Sequence, residues 1–534
     1  MSEKTQEQGK KNWVYTPKEI NAKRGVCYGM MDLMGGGWNN IVSGVIFAYL
    51  TLAQGFNPAI AGTIAAAGRI VDCIWNMVFG PITDNFYRTK LGQRFGRRHF
   101  FMFVGLILFA CVFPLFWINV KDASGQPSFT YYLAVYVAME VIIAMLLIPW
   151  ECLPAEMTRD YTKRTVLSGS RMVISATGTA LVFMILAFLK SLPESVQVNA
   201  YLYAGIAWTV LFVVAIFVSW RFTWERPLTD EFVAELNAQP KKTFGESVRD
   251  MIDGYKQTFQ NQAFRTHLAV YLLSFTGKDF YSTLLVNFVV LCIAGVSEGL
   301  PWILQAVAIL GIPATLVATK LMVSHGPRYL FRLAYTSILV AMVGYLAVWL
   351  LQLSNPTAVV VLLVAFSVIY QVGRAVLEFT PWNIFPFMAD VDYIMTRDDR
   401  AGLYASVMSF LRKSTGALAT WIAGILLSVI GYDSQTMKHF SDMAAYPHVQ
   451  TGIAVVFFVG TALLIALALY MSRKVYLNRE THAVLEAEID RLEKGGSKAD
   501  VTPEARKVCE ELTGRKYELL WPERDEDAQV STAK

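Results

Sequence analysis

Residues 57–98 read NPAIAGTIAAAGRIVDCIWNMVFGPITDNFYRTKLGQRFGRR. The first part, 57–83, is an apolar run whose only charged residues are Arg69 and Asp72, and it is long enough to cross a bilayer as a helix, which takes about 20 residues. The second part, 84–98, carries Arg88, Lys90, Arg94, Arg97 and Arg98. An apolar run that ends in a basic cluster is a membrane span with its cytoplasmic end marked.

The pattern repeats along the chain. Apolar runs fall near 27–53, 57–83, 99–120, 129–153, 165–189, 200–220, 264–297, 300–323, 329–353, 357–388, 401–431 and 450–472. Basic residues gather in the N-tail (Lys4, Lys10, Lys11, Lys18, Lys23, Arg24), in 84–98 and in 157–164 (Arg159, Lys163, Arg164). The alternate loops hold little beyond Lys121, Lys190 and Lys438. The expected division is a cytoplasmic N-tail 1–24, a six-helix bundle 25–220, a central cytoplasmic loop 221–263, a second six-helix bundle 264–472 and a cytoplasmic helical tail 473–534. The expected fold is therefore all-α and integral to the membrane, twelve helices in two six-helix bundles with both termini cytoplasmic, which is the plan of a major facilitator transporter in the cell membrane.

Composition agrees with this plan. Of 534 residues 54% are hydrophobic and 17% charged, the mean hydropathy is +0.40, and soluble domains carry about 25% charged residues. Roughly 288 apolar residues (0.54 × 534) supply about a dozen crossings with loops to spare. A soluble enzyme is excluded, and so is a disordered or nucleic-acid-coating chain, which needs low hydrophobicity and high net charge; the formal charge is only +5. The polar first 24 residues argue against a cleavable signal peptide. Cys27, Cys73, Cys111, Cys152 and Cys292 lie in or beside apolar runs and Cys509 in the tail, without metal spacing. No metal site and no catalytic residues are expected, because the six histidines are dispersed and no nucleophile stands beside a base.

In the tail, Leu485, Ile489 and Leu492 share one helical face. Thr502-Pro503, then Ala505, Val508, Leu512 and Gly514, read as a second short helix with an N-cap, an N1 proline and a C′ glycine.

Charges inside the spans invite a functional reading, since each is costly there. Arg69, Asp72 and Asn76 follow at three and four residues and can share one face; Asp72 with the Asn76 amide is either an oxygen-ligand or protonatable site, or Arg69 simply neutralises Asp72. Arg374 and Glu378, four apart, are candidates for a structural ion pair. Lys278 and Asp279 are adjacent, about 100° apart on a helix, so each needs a partner elsewhere and a local break of the helix is expected there. Lys413 can hydrogen-bond sugar hydroxyls or bind an anion as a point charge, unless it snorkels to the surface. Trp150 after Pro149 and Trp382 after Pro381 make matched steps late in the fourth and tenth spans, able to stack on the apolar face of a sugar ring or to sit in an interfacial belt.

Three runs carry a family resemblance: Gly68-Arg69-Ile70-Val71-Asp72, Gly80-Pro81-Ile82-Thr83-Asp84 and Arg94-Phe95-Gly96-Arg97-Arg98. Pro154-Ala155-Glu156-Met157-Thr158 with Arg171 behind it, and Ala389-Asp390-Val391-Asp392-Tyr393 followed by Lys413, extend it over about 28–472. The chain resembles the glycoside-pentoside-hexuronide:cation symporters, the melibiose permease-like branch of the major facilitator superfamily. The resemblance implies Asp72 as cation-coupling carboxylate with Asn76 beside it, Arg171 near the sugar, Lys413 coupling ion to substrate, and Asn40 where the family has a sugar-binding aspartate. Asn76 stands where sodium-using members carry a second aspartate, which leans the reading towards protons, and the missing aspartates put a galactoside in doubt.

Gly80, Asp84, Arg94, Arg97 and Arg98 read as a gate: the glycine permits close helix approach, and the charges lock one access state. The expectation is a monomeric symporter of a sugar, glycoside or uronide, with no cofactor beyond co-transported H+ or Na+ and no partner beyond its small-molecule substrate and membrane lipid, nucleic acid excluded. A transporter of a lysolipid-like amphipath and a transporter-derived membrane sensor are the alternatives.

Overall fold

Backbone amides inside a bilayer have no water to bond, so each apolar run closes its own hydrogen bonds as a helix. The fold is that of a computed structural model, which describes residues 13–158, 161–229, 232–233, 244–398 and 400–522. The first helix, α1, is Ala22–Asn40 prolonged through Ile41–Val45, Ile46–Ala48 and Tyr49–Ala53, with two π-helical stretches. Then come α2 (Pro58–Asn85), α3 (His99–Val112), α4 (Phe129–Glu151), α5 (Tyr161–Lys190) and α6 (Ala200–Phe222). The second set begins with α7 (Gln262–Cys292). A long helical stretch after it bends at Gly326, whose φ of +74° only glycine adopts readily, and so divides into α8 (300–325) and α9 (327–351). The spans end with α10 (Pro356–Ile384), α11 (Ala401–Val429) and α12 (Pro447–Ser472).

Local chemistry sets where these helices start. Asn57, Ser128, Asn261 and Asn355 each cap the next helix with a side-chain oxygen that accepts a backbone N–H, at α2, α4, α7 and α10. Pro58 and Pro356 follow at positions where no amide is needed.

Within the first half α1 lies along α5 and α6, and α4 along α2 and α3; within the second, α7 lies along α12 and α9 along α10. The halves meet where α2 runs beside α11 and α5 beside the start of α8. Large aromatics fill the interior, among them the buried Trp117, Trp208 and Trp302. Val210, Val214 and Phe217 of α6 and Val455, Val459 and Leu463 of α12 stand exposed at helical spacing, an outward apolar belt that suits lipid rather than water.

Among the described residues, eight helical stretches are long and apolar enough to cross a membrane by composition alone, one of them, 300–351, being the α8–α9 pair. The spans outside that set are α1, α7 and α11. These same three bring polar groups to the space between the halves.

The central stretch holds the helix Phe244–Thr258. The tail folds as two helices, α13 (Arg479–Glu493), capped by Asn478, and α14 (Pro503–Thr513), with Thr502 accepting from the Ala505 amide and Gly514 behind. They dock on the second half at the short helix Phe387–Thr396: His482 Nε2 lies 2.7 Å from Asp390 Oδ2, Tyr393 Oη donates to Glu493 at 2.8 Å, and the Trp521 amide donates to the Ile394 carbonyl at 2.8 Å. The expected break at Lys278-Asp279 is absent: α7 is continuous there, because both charges find partners without distorting the backbone.

Candidate functional site

Between the halves lies a cavity of about 1020 Å³, at the upper end of the range for small-molecule sites, ~300–1,000 Å³. Its wall includes Asp32, Asn39 and Asn40 of α1, Arg69 of α2, Lys278 and Asp279 of α7, Arg374, Glu378 and Trp382 of α10, and Arg412 and Lys413 of α11.

Asp72 is buried and its Oδ2 lies 2.6 Å from Lys413 Nζ, an ion pair that joins α2 of one half to α11 of the other. Asn76 Nδ2 donates to Asp72 Oδ1 at 2.6 Å and to the Asp72 carbonyl at the same distance. The structure thus brings together Asp72, Asn76 and Lys413. It corrects the alternative in which Arg69 neutralises Asp72: Lys413 holds that carboxylate, and Arg69 faces the cavity.

A second charge cluster lines the same cavity. Arg374 Nε donates to Glu378 at 3.0 Å, as the four-residue spacing implies, and Lys278 Nζ reaches the same carboxylate oxygen at 3.1 Å. Arg374 also donates to Gln371 Oε1 at 3.3 Å and, across the halves, to Asn40 Oδ1 at 3.2 Å. Asn40 Nδ2 is spent on the Gly36 carbonyl and Thr179 Oγ1, both at 2.9 Å. Arg412 grips Asp279 with two hydrogen bonds, at 2.6 and 2.8 Å, the planar fork that arginine offers a carboxylate.

The two Pro-Trp steps separate. Trp382 is 44% exposed in the cavity wall, edge-on to Tyr271. Trp150 is fully buried: it stacks on Tyr28 at 4.8 Å between centroids, donates to the Tyr28 carbonyl at 3.0 Å, and has Arg171 over its ring at 4.7 Å. In this conformation Trp150 is a packing residue and not a stacking platform. Arg171 bridges Asp32 and Glu151, both at 2.9 Å, on the α1 side of the cavity. Its contact with solute would pass through Asp32, which does line the cavity.

Of the gate residues, Arg97 and Arg98 both hold Glu156, at 2.6 and 2.5 Å, a tie inside the first half. The next segment reinforces it. Buried Glu225 accepts the backbone amides of Arg97, Arg98 and His99 at 2.9, 2.9 and 2.7 Å, capping α3, with His99 Nδ1 at 2.9 Å. Burial alone would raise the Glu225 pKa, but the hydrogen bonds from His99 and these amides hold it below the usual carboxylate value. Gly80 has open space around it, since a Cβ there would meet nothing within 4 Å, so close helix approach is not its service in this state. Arg94 lies over the Phe95 ring at 5.2 Å. The Asp84 side chain falls outside the described residues.

The two ends of the cavity differ. At the end away from the termini the halves are bonded together: the Ala59 amide donates to Ser428 Oγ at 3.0 Å, Ser428 Oγ donates to Asn57 at 2.8 Å, Ser434 Oγ donates to the Phe56 carbonyl at 2.5 Å, and Lys190 pairs with Glu298 at 2.8 Å. Towards the termini the wall continues through Gly169, Met172, Thr319, Asn383 and Ser409. The cavity therefore runs to the face that carries the tail. Among the described residues no cluster of three or more His, Cys, Asp or Glu could hold a metal ion.

The sequence assigns Asp279 no role beyond its need for a partner and does not mark Glu225 or Tyr28, whose importance comes from partners far away in the chain.

A family model described as MFS/sugar transport protein matches residues 27–479. An uncharacterized symporter of Synechocystis sp. is 22% identical over 479 residues, 76% of this chain and 85% of that protein. A glucuronide carrier protein homolog of Escherichia coli is 23% identical over 408 residues, 72% of this chain and 79% of that protein. The inward-open form of the xylose transporter of Escherichia coli superposes with a TM-score of 0.56 at 12% identity, over 87% of this chain and 98% of that one.

Proposed function

The chain belongs to the MFS/sugar transport protein family, and from that premise we propose that this membrane symporter couples an inward flow of protons to the uptake of an acidic sugar, a uronide or a glycoside that bears a carboxylate. The observation that carries the reading is the Asp72–Lys413 pair at 2.6 Å between the two halves. An ion pair that spans the moving interface must be exchanged for something else when the halves rock. A proton on Asp72 frees Lys413 to bind the solute, and solute and proton are then carried together. Asn76, an amide where a second carboxylate would make a sodium site, favours the proton.

Charge along the cavity favours an acidic solute. Its wall carries Arg69, Lys278, Arg374, Arg412 and Lys413 against Asp32, Asp279 and Glu378. Arg412 is committed to Asp279 and Lys413 to Asp72, while Glu378 answers both Lys278 and Arg374, with Asp279 shared between Arg412 and, at 3.9 Å, Lys278. Arg69 and one further cation are left to meet a carboxylate, with Trp382 placed for the ring and Asn40 for hydroxyls. Basic loops favour a cytoplasmic position for the termini, and on that reading the described state faces inward.

A second reading is supported by Met172 and Val173 of α5 and Leu316 of α8, exposed apolar residues in the same cavity wall: an amphipathic, lysolipid-like solute would lay its chain there. Uptake into proteoliposomes under an imposed pH gradient, with glucuronides, neutral sugars and lysolipids in competition, decides between them. Competition by glucuronides supports the first reading, and competition by lysolipids alone rejects it.

A further inference from the structure

Glu140 lies near the middle of α4 and is 1% exposed. Its Oε2 accepts a hydrogen bond from Trp38 Nε1 of α1 at 3.3 Å, and its Oε1 has no hydrogen-bond partner. Tyr136, one turn earlier on the same face, is fully buried, and its hydroxyl interacts with the Glu140 carboxylate without reaching full hydrogen-bond geometry. No charged group answers Glu140 within ion-pair distance among the described residues. From α1, Asp32 is held by Arg171; from α2, Asp72 is held by Lys413. Along α3 no charged residue follows its first residue, His99. An ionised carboxylate answered only by neutral donors, with no cation at ion-pair distance, is disfavoured in a dry interior, and the neutral acid is the form such a site holds.

Arg69 is the remaining charge at this place. It belongs to α2, lines the cavity, and interacts electrostatically with Tyr136, Glu140 and Asp72. Its neighbour Gly68 lets α2 meet α4 here, since a Cβ on Gly68 would overlap the Tyr136 ring. Arg69 makes no ion pair among the described residues, so it stands between a buried acid on one side and the open cavity on the other.

We propose that Glu140 is a proton-carrying site of this transporter, protonated in the described conformation and deprotonated when the Arg69 guanidinium turns onto it. The proposal rests on proton-coupled uptake of an acidic solute. A solute carboxylate bound by Arg69 keeps that arginine away from Glu140, and the acid keeps its proton. When the solute leaves toward the termini-bearing side, Arg69 is released, the O–H bond of Glu140 breaks, its proton passes to cavity water, and the carboxylate remains paired with Arg69. Solute and proton leave on the same side because one arginine serves both anions in turn.

The test uses the full-length protein in proteoliposomes with the Glu140→Gln variant, which keeps the shape of the neutral acid. The expected result is solute exchange within about twofold of the parent, with pH-driven accumulation reduced several-fold but not abolished, because Asp72 still carries its own proton. Gradient-driven accumulation by E140Q equal to that of the parent overturns the proposal, whereas a parent that ignores the pH gradient overturns the function on which it rests. Infrared spectroscopy of the detergent-solubilised parent gives a reading independent of transport and of how well E140Q folds. A carboxylic-acid C=O band at neutral pH that shifts when Trp38→Phe removes the N–H donor supports the assignment; a spectrum without such a band, or with one that Trp38→Phe leaves in place, overturns it.

Discussion

Asp72 and Lys413 come from different halves, and neither has a second ion-pair partner within reach among the described residues. Removing one leaves the other as an uncompensated charge in a poorly hydrated place. Asp72→Asn is expected to abolish gradient-driven accumulation and to lower stability by about 1–3 kcal/mol, between the values for exposed and fully buried pairs, since Lys413 keeps a third of its surface. The double variant Asp72→Asn/Lys413→Gln should recover most of that stability but not the accumulation, and thermal unfolding alongside uptake separates the two effects. The tryptophans provide a second contrast. Trp382→Ala should raise KM about tenfold with little change in unfolding temperature. Trp150→Ala should cost about 3–5 kcal/mol of stability, read by thermal unfolding, because it empties the space between Tyr28 and Arg171. Charges within spans are legible in sequence because each violates the hydropathy around it, which is how Asp72, Lys413, Arg374 and Glu378 stood out. The partners were not legible where they lie far along the chain, and Pro149-Trp150 and Pro381-Trp382 look alike until α1 is seen to cover the first of them.

The elements were more legible than the contacts between them. Among the described residues the twelve apolar runs are helical, and the second tail helix starts at Thr502-Pro503 and stops at Gly514, as the sequence indicates. What local pattern did not carry is the docking of α13 on the second half, because His482 and Asp390 meet only once α10 has ended and the chain has returned through α11 and α12. The hydrogen bond with Asp390 raises the His482 pKa against the opposing effect of burial. A raised histidine pKa means the folded tail binds the proton more tightly than the unfolded one. The stabilisation is full below the unfolded value, about 6.5, and is lost as pH rises through the higher folded value. Hydrogen exchange in α13 should therefore quicken, relative to the intrinsic rate, as pH is raised past neutrality, and His482→Gln should remove that pH dependence. An α13 protection that is equally flat in parent and variant would contradict the pairing.

At the scale of the whole molecule the two halves are clasped at the face away from the termini, and the cavity runs toward the face that carries them. Asn57→Cys with Ser428→Cys places two thiols where a hydrogen bond of 2.8 Å now joins α2 to α11. Oxidation should lock the closed face and stop uptake, and a reductant should restore it; unchanged uptake in a demonstrably crosslinked protein would mean that this face does not open during transport. The central claim, that an ion pair across the halves couples a cation to a sugar-type solute, is tested most directly by uptake of a labelled glucuronide into proteoliposomes under separately imposed proton and sodium gradients, with the parent and Asp72→Asn side by side. The account predicts accumulation driven by the proton gradient in the parent and only equilibration in the variant. Uptake in the parent that is indifferent to both gradients would contradict it.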